Sequence, residues 1–192
     1  MTGSQLDKIR TFTAEEMKKS LDPQHDFVHL ERVRTNALRI ADLLDLNGAI
    51  DRNLLSAICY LHDLAFTARK PGLRTWFFEG RFVKKRLKRL TLLDRLGVSQ
   101  EEKRIMFTAI IRHPLAFPLR RLNRRRDYYT QLLQDADTLD FYSAERLASF
   151  TVSRQRFLFY RVCSVFAGFS YRLYNRNIHK YLNFPQLAEH FL

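Results

Sequence analysis

The chain has 192 residues, of which 46% are hydrophobic, and its 33 lysines and arginines against 20 acidic residues give a formal net charge of +13. This composition provides for a sizeable core, while only 6 glycines and 5 prolines argue against a fold of strands and turns. We therefore expect one all-α domain. The positive charge favours polyanionic partners, namely nucleotides, nucleic acid or anionic lipid, although a generally basic surface is the alternative.

The cysteines and the hydropathy of the sequence indicate the cellular compartment of the protein. Cys59 and Cys163 lie in apolar stretches and form no disulfide framework, so we expect free thiols in a reducing compartment. Residues 1–5 contain no apolar signal region. No apolar run approaches the ~20 residues that a membrane-spanning helix needs. The sequence therefore predicts a cytoplasmic protein without a membrane span.

The first third of the chain predicts three helices. Thr13–Glu16 has the spacing of a capping box and is expected near the start of a short helix or in its second half. From Asp26 to Asp45 apolar residues recur at intervals of three and four, which predicts an amphipathic helix that ends before Gly48. Asp51 can cap the next helix, which is apolar through residue 61.

The rest of the chain predicts further helices separated by loops. Residues 67–75 read as a loop, and a capping box at Ser99–Glu102 opens a helix that ends near His113. A final short helix starts at Asn183, with Pro185 in its first turn. The other predicted helices cover residues 76–90, 128–150 and 153–174.

Four residues of metal-ligating type occur in these helical stretches: His29, the adjacent pair His62 and Asp63, and Asp137. The pair closes the apolar run 54–61, where an unpaired carboxylate would be costly to bury. A divalent cation would offset that cost, because neutral imidazole and carboxylate both bind borderline metals well. The alternative is two satisfied core histidines with two capping or salt-bridging aspartates.

The contexts of these residues resemble the HD-domain superfamily of metal-dependent phosphohydrolases. Their order matches, and so do three local segments over about residues 20–145. In the first, an aspartate precedes His29 by three residues and Arg-Val follows it. The second is Leu-His-Asp at the end of an apolar helix, and the third resembles Ala-Asp-x-Leu-Asp. The segments read HDFVHLERV at 25–33, LHD at 61–63 and DADTLD at 135–140.

The resemblance implies an HD-domain-like helical bundle over residues 1–150, with extra C-terminal helices over 151–192 packed on it as one globular unit. It implies that one divalent metal ion is held by His29, His62, Asp63 and Asp137. Asp135 competes for the last position, but Asp137 fits the family pattern and lies four residues after Leu133, on the apolar side of its helix. Two histidines and two carboxylates suit Mn, Fe, Co, Ni or Zn, and Mg less naturally.

The number of metal ions follows from the histidines between Asp63 and Asp137. Two-metal members of the superfamily usually place two histidines there, whereas this chain has only His113. We therefore expect a mononuclear site. The implied activity is hydrolysis of a phosphate ester or phosphoanhydride of a small substrate, preferably a nucleotide.

Two residues are candidate catalytic groups in this activity. Asp63 could orient the attacking water, and His113 could contact a phosphate or donate a proton, because an imidazole titrates near neutrality. The alternative for His113 is a histidine stabilised by the dipole at the C-terminal end of a helix.

Arginines complete the expected site, since they would neutralise charge that develops on phosphate. Arg32 is the ambiguous one, because one turn beyond His29 it can instead pair with a carboxylate and hold the ligand helix. The candidate substrate-binding residues are Arg32, Arg112, His113, Arg124 and Arg125.

Two basic clusters, residues 84–89 and 120–126, either form a positive rim around the metal or are solvated faces. Aromatic residues between 157 and 174 favour core packing or a homo-oligomer face over base stacking. The second functional hypothesis is a basic nucleic-acid-binding or regulatory module in which the metal site is mainly structural.

Overall fold

A computed structural model of the chain describes residues 1–114, 127–141 and 178–191, with isolated residues between 143 and 162. In these parts the regular elements are helices, and the only bridge joins Asn47 and Ile50. The expectation of an all-α protein is therefore confirmed. The 120–126 cluster, Cys163 and most of the predicted helix 153–174 lie outside the described residues.

Three helices form the N-terminal part of the fold, and each begins at a polar residue. The side chains of Thr2, Asp26 and Asp51 accept hydrogen bonds from backbone N–H groups of the first turns that follow them, as predicted for Asp51. The predicted capping box at Thr13–Glu16 lies in the second half of the first helix, which begins ten residues earlier. The helices are α1 (Gly3–Met17), α2 (Phe27–Leu43) and α3 (Arg52–Leu61).

Four more α-helices have their bounds within residues 73–141. They are α4 (Leu73–Leu90), α5 (Leu92–Arg95), α6 (Gln100–Arg112) and α7 (Tyr128–Phe141). The capping box of Ser99 and Glu102 is confirmed at the start of α6. The prediction that α7 continues to residue 150 is wrong, because the backbone N–H of Ser143 bonds to the carbonyl of Asp140 in a turn. Short 3₁₀ helices cover Leu64–Thr67, Ile178–Lys180 and Pro185–His190, the last with proline in its first turn as predicted.

The core lies where α2 and α3 pack against each other and α2 packs against α7. On the other side, α4 packs on α6 at Gly80, where an added Cβ would lie 2.0 Å from the carbonyl oxygen of Ile110. This close approach carries the neighbouring residue, Glu79, into the interior beside His113. Among the described helices, none has the length and apolar composition required to cross a bilayer.

Candidate metal centre

The four residues that the sequence predicts as ligands converge inside the protein. His29 comes from α2, His62 and Asp63 directly follow α3, and Asp137 comes from α7. The Nε2 atom of His29 lies 3.0 Å from Oδ2 of Asp63 and 3.5 Å from Oδ1 of Asp137. For His62 the corresponding distances are 3.3 Å and 4.0 Å. Asp137 is the open edge of the cluster, since its side chain is 34% exposed whereas the other three are buried.

The atoms that face each other in this cluster have no hydrogen-bond partner among the described residues. They are Nε2 of His29, Nε2 of His62 and Oδ2 of Asp63, all buried. Leaving buried polar atoms unsatisfied is costly. Donor atoms about 2.1 Å from a shared ion would lie about 3.0 Å apart at right angles and about 3.4 Å apart in a tetrahedron. Three of the four observed separations are of this size, and the fourth, between His62 and Asp137, is longer by about 0.6 Å. The four residues therefore fit a divalent metal ion after a small movement of the partly exposed Asp137.

The opposite ring nitrogen of each ligand histidine is held by an acceptor. Nδ1 of His29 donates to Oδ2 of Asp140 at 2.7 Å, and Nδ1 of His62 donates to the carbonyl oxygen of Cys59 at 2.7 Å. These bonds place the proton on Nδ1 and leave the Nε2 lone pair directed at the cluster, as in metal-binding histidines.

Burial and nearby carboxylates set the protonation of the two ligand histidines differently. Burial lowers the pKa of His62 to about 4, so the imidazole is neutral at neutral pH and can bind a metal. Burial also lowers the pKa of His29, but the carboxylates of Asp140 and Asp63 outweigh it and raise that pKa overall. Binding of a metal ion at His29 would therefore be coupled to release of a proton.

Arg32 binds Asp140, the residue that also holds the imidazole of His29. Its guanidinium donates to both oxygens of that carboxylate, with Nη2 3.2 Å from Oδ2. Burial raises the pKa of Asp140, but hydrogen bonds from His29 and Arg32 outweigh it and hold the pKa well below its usual range. The structure thus places Arg32 in the carboxylate-pairing role that the sequence allows.

The two aspartates at the start of the DADTLD segment point to different places. Asp137 faces the two ligand histidines, whereas Asp135 is buried and its Oδ2 accepts the backbone N–H of Phe184 at 3.0 Å. Its Oδ1 accepts the backbone N–H of Asn183 at 2.7 Å. Asp135 therefore fastens the C-terminal segment to α7, and Asp137 is the aspartate available to a metal.

His113 lies beside this cluster at the end of α6. Its ring centre is 5.0 Å from that of His62, and its Nδ1 donates to the carbonyl oxygen of Ile110 at 2.8 Å. Its Nε2 lies 3.2 Å from Oε1 of Glu79. Burial lowers the pKa of His113, but the Glu79 carboxylate outweighs it and raises the pKa to about 9. Burial raises the pKa of Glu79 to about 6.

Sequence reasoning missed Glu79. With Asp63 and His113 it forms a second group of ligand-type atoms within 4.8 Å of one another, next to the first. The signal was present in the composition of α4, because Glu79 is its only acidic residue among seven basic ones. A lone carboxylate in so basic a helix indicates a specific partner.

His25 was also missed. Its Nε2 lies 3.8 Å from Oδ2 of Asp63, and its ring stacks on Phe66 with 3.8 Å between ring centres. Its Nδ1 is 2.8 Å from Oδ2 of the buried Asp22, which also accepts a hydrogen bond from the hydroxyl of Tyr160. The signal was the four-residue spacing from His25 to His29.

The remaining predicted substrate-binding residues lie at or beyond the edge of what the structure describes. Arg112 is exposed at the end of α6, next to His113. Arg124 and Arg125 lie outside the described residues. In the 84–89 cluster, Arg86 pairs with Glu16, and Leu87 is buried in the core.

Comparison with known proteins gives a shared fold and no activity. No family model matches the chain, and no curated protein matches it. It is similar to a solved structure of a Lactobacillus plantarum protein, a Northeast Structural Genomics target, with a TM-score of 0.60 and 21% identity. The similarity covers 81% of this chain and 64% of that one, so this chain spans less than two thirds of its neighbour's length. At this identity the likeness shows the fold alone.

Proposed function

We propose that the protein is a metal-dependent phosphohydrolase of HD type that cleaves a phosphate ester or phosphoanhydride of a nucleotide. The observation that carries the proposal is the convergence of unsatisfied, buried ligand atoms from His29, His62 and Asp63. The exposed edge at Asp137 favours a catalytic over a purely structural ion, because structural sites are closed by their ligands and catalytic ones keep an open position.

A divalent ion held by His29, His62, Asp63 and Asp137 would polarise a phosphoryl oxygen and lower the pKa of a water molecule. The chain's own residues add charge and proton donors around that position. With a pKa raised to about 9, His113 is protonated at neutral pH and pairs with the Glu79 carboxylate, and it would stabilise a phosphate anion by turning from that carboxylate to the substrate.

His25 is the group that we expect to exchange a proton with the substrate. Its Nε2 faces Asp63, and Asp22 fixes its ring by binding Nδ1. Phe66 covers one face of that ring. His113 and His25 thus flank Asp63, and both are anchored through Nδ1, which fixes the direction in which each Nε2 points.

A nucleotide substrate is supported by charge. The net charge of +13 attracts polyphosphates over long range. The ligand set favours Mn, Fe, Co, Ni or Zn over Mg, because two of the four donors are imidazoles.

The test is a screen for released phosphate. Protein stripped with a chelator is reloaded separately with Mn²⁺, Co²⁺, Ni²⁺, Zn²⁺ or Mg²⁺ and incubated with nucleoside mono-, di- and triphosphates and simple phosphate esters. We expect turnover with at least one metal, its loss in His62→Ala and Asp63→Ala, and its retention in His190→Ala, which removes an exposed histidine. Absence of turnover with every metal and substrate, or undiminished turnover in both site variants, would contradict the proposal.

A further inference from the structure

The outer face of α4 carries an uncompensated strip of positive charge. Apart from Arg86, which pairs with Glu16, the basic residues of this helix are exposed or half-buried and form no ion pair with a carboxylate of the described residues. The one acidic residue of α4, Glu79, is turned inward to His113 and does not offset them. We call this surface the basic stripe, and it consists of Arg74, Arg81, Lys84, Lys85, Lys88 and Arg89.

Helical geometry aligns these residues. At 100° per residue, Arg74, Arg81, Lys85 and Lys88 fall in one row, with Lys84 and Arg89 beside it. From the first to the last residue the row is about 22 Å long at 1.5 Å per residue. The opposite face of α4, with Val83 and Leu87, is buried in the core.

Two aromatic rings lie at the N-terminal end of the stripe. Phe77 and Phe78 are 46% and 43% exposed, although phenylalanine is normally buried. The guanidinium of Arg81 lies 5.5 Å from the centre of the Phe78 ring. At the other end, a groove of about 280 Å³ between α4, α5 and α6 continues the surface. Its lining includes the basic residues Lys84, Lys88, Lys103 and Arg104 and one acidic residue, Asp94, which pairs with Lys103.

We propose that the basic stripe binds single-stranded nucleic acid, with its phosphates along the cations and a base stacked on Phe78. A positive track combined with exposed aromatic rings is the pattern by which proteins hold single strands. A paired duplex presents the same charge but keeps its bases stacked inside, so it has no free base to stack on Phe78. An anionic membrane fits less well, because a helix that binds lipid needs a free apolar face along its length. In α4 the exposed apolar residues are confined to the first two turns, while Val83 and Leu87 are buried.

This surface is distinct from the metal centre, since the stripe and Glu79 lie on opposite faces of α4. Nucleic-acid binding should therefore survive removal of the metal. The two proposals can fail separately: chelator-treated protein that binds a strand but shows no turnover with any metal would contradict only the hydrolase.

The first experiment measures binding of a fluorescent oligouridylate of about 12 nucleotides as a function of salt. The variant with Arg81→Gln, Lys85→Gln and Lys88→Gln should lose three phosphate contacts. Each contact contributes about 0.7 to the slope of log affinity against log salt, so the slope should shrink by about 2 and the affinity fall roughly 100-fold at 0.1 M salt. The matched control, called the α1 control, removes the same charge from α1 and the two residues that follow it, by Lys8→Gln, Lys18→Gln and Lys19→Gln.

The second experiment isolates the aromatic contact. Phe78→Leu keeps an apolar side chain but removes the ring, and should weaken oligouridylate binding about tenfold while leaving binding of inorganic polyphosphate unchanged. Circular dichroism of each variant verifies that the fold is kept.

Four results would overturn the proposal: an equal loss in the α1 control, duplex bound as tightly as the single strand, polyphosphate affinity falling with that of the strand in Phe78→Leu, or tight binding to phosphatidylserine vesicles with none to the oligonucleotide.

Discussion

Asp140 holds His29 from the side away from the candidate metal centre, with its Oδ2 2.7 Å from the Nδ1 of the imidazole. The guanidinium groups of Arg32 and Arg146 lie against the same carboxylate, at 3.2 Å and 3.8 Å. A charged acceptor at Nδ1 fixes the orientation of the ring and makes Nε2 a better ligand. The geometry of the candidate centre therefore depends on a residue that does not belong to it.

Asp140→Asn tests this dependence. Loss of the negative charge should weaken metal binding by roughly 10- to 100-fold, measured by competition with a chromophoric chelator. Asp135→Asn is the matched control on the same helix, because it disturbs the contact with Asn183 and should lower the melting temperature without changing metal affinity. Equal metal affinity in Asp140→Asn and wild type would show that the carboxylate does not support the ligand.

Metal removal should destabilise the protein, because the four ligands come from segments far apart in the sequence. Binding to the native state alone contributes roughly 3–4 kcal/mol when the metal is at 100 to 1,000 times its dissociation constant. Chelation should therefore lower the melting temperature by several degrees, as measured by differential scanning fluorimetry. An unchanged melting curve after verified metal removal would mean that the helices pack independently of an ion.

The Glu79–His113 pair gives metal-free protein a characteristic pH dependence. Because the pKa of His113 is raised to about 9, its stabilising effect is complete below about 6.5 and is lost as the pH rises through 9. In Glu79→Gln burial still lowers the pKa of His113 and only the charges of Asp137 and Asp63 still raise it, so that pKa should fall well below its wild-type value. NMR titration of the imidazole measures both values, and an ordinary pKa for His113 in wild type would contradict the pairing.

Gly80→Ala should disrupt the contact between α4 and α6. The added Cβ would meet the carbonyl oxygen of Ile110 at 2.0 Å, which forces the helices apart. We expect a loss of about 1–3 kcal/mol in the free energy of unfolding, measured with urea, and a lower pKa for His113 as Glu79 moves away. Gly3→Ala is the control, since nothing lies within 4 Å of its Cβ position. A destabilisation no larger than that of the control would show that the helices can separate freely.

The sequence predicted the helices of this fold wherever periodicity and capping agreed. Asp51 and the box of Ser99 and Glu102 cap helices as expected, because these contacts are local and depend on residues three positions apart. The prediction failed at the end of α7, where a turn at Ser143 stops the helix without glycine or proline as a signal.

The four candidate ligands could be predicted from the sequence motifs that contain them. The residues that contact and orient these ligands could not be predicted. Glu79 and His113 are 34 residues apart and meet because Gly80 lets two helices approach closely. Asp140 reaches His29 across the packing of α2 on α7. Such pairings depend on tertiary contacts that no local pattern specifies.

The most direct test of the metal centre is the metal content of purified protein, before and after reloading, measured by inductively coupled plasma mass spectrometry. The structure predicts about one divalent ion per wild-type chain, held by His29, His62, Asp63 and Asp137. His62→Ala and Asp63→Ala should each retain almost none, while His190→Ala should match wild type. Wild-type protein that holds no metal in either state, or full metal content in both site variants, would contradict the account.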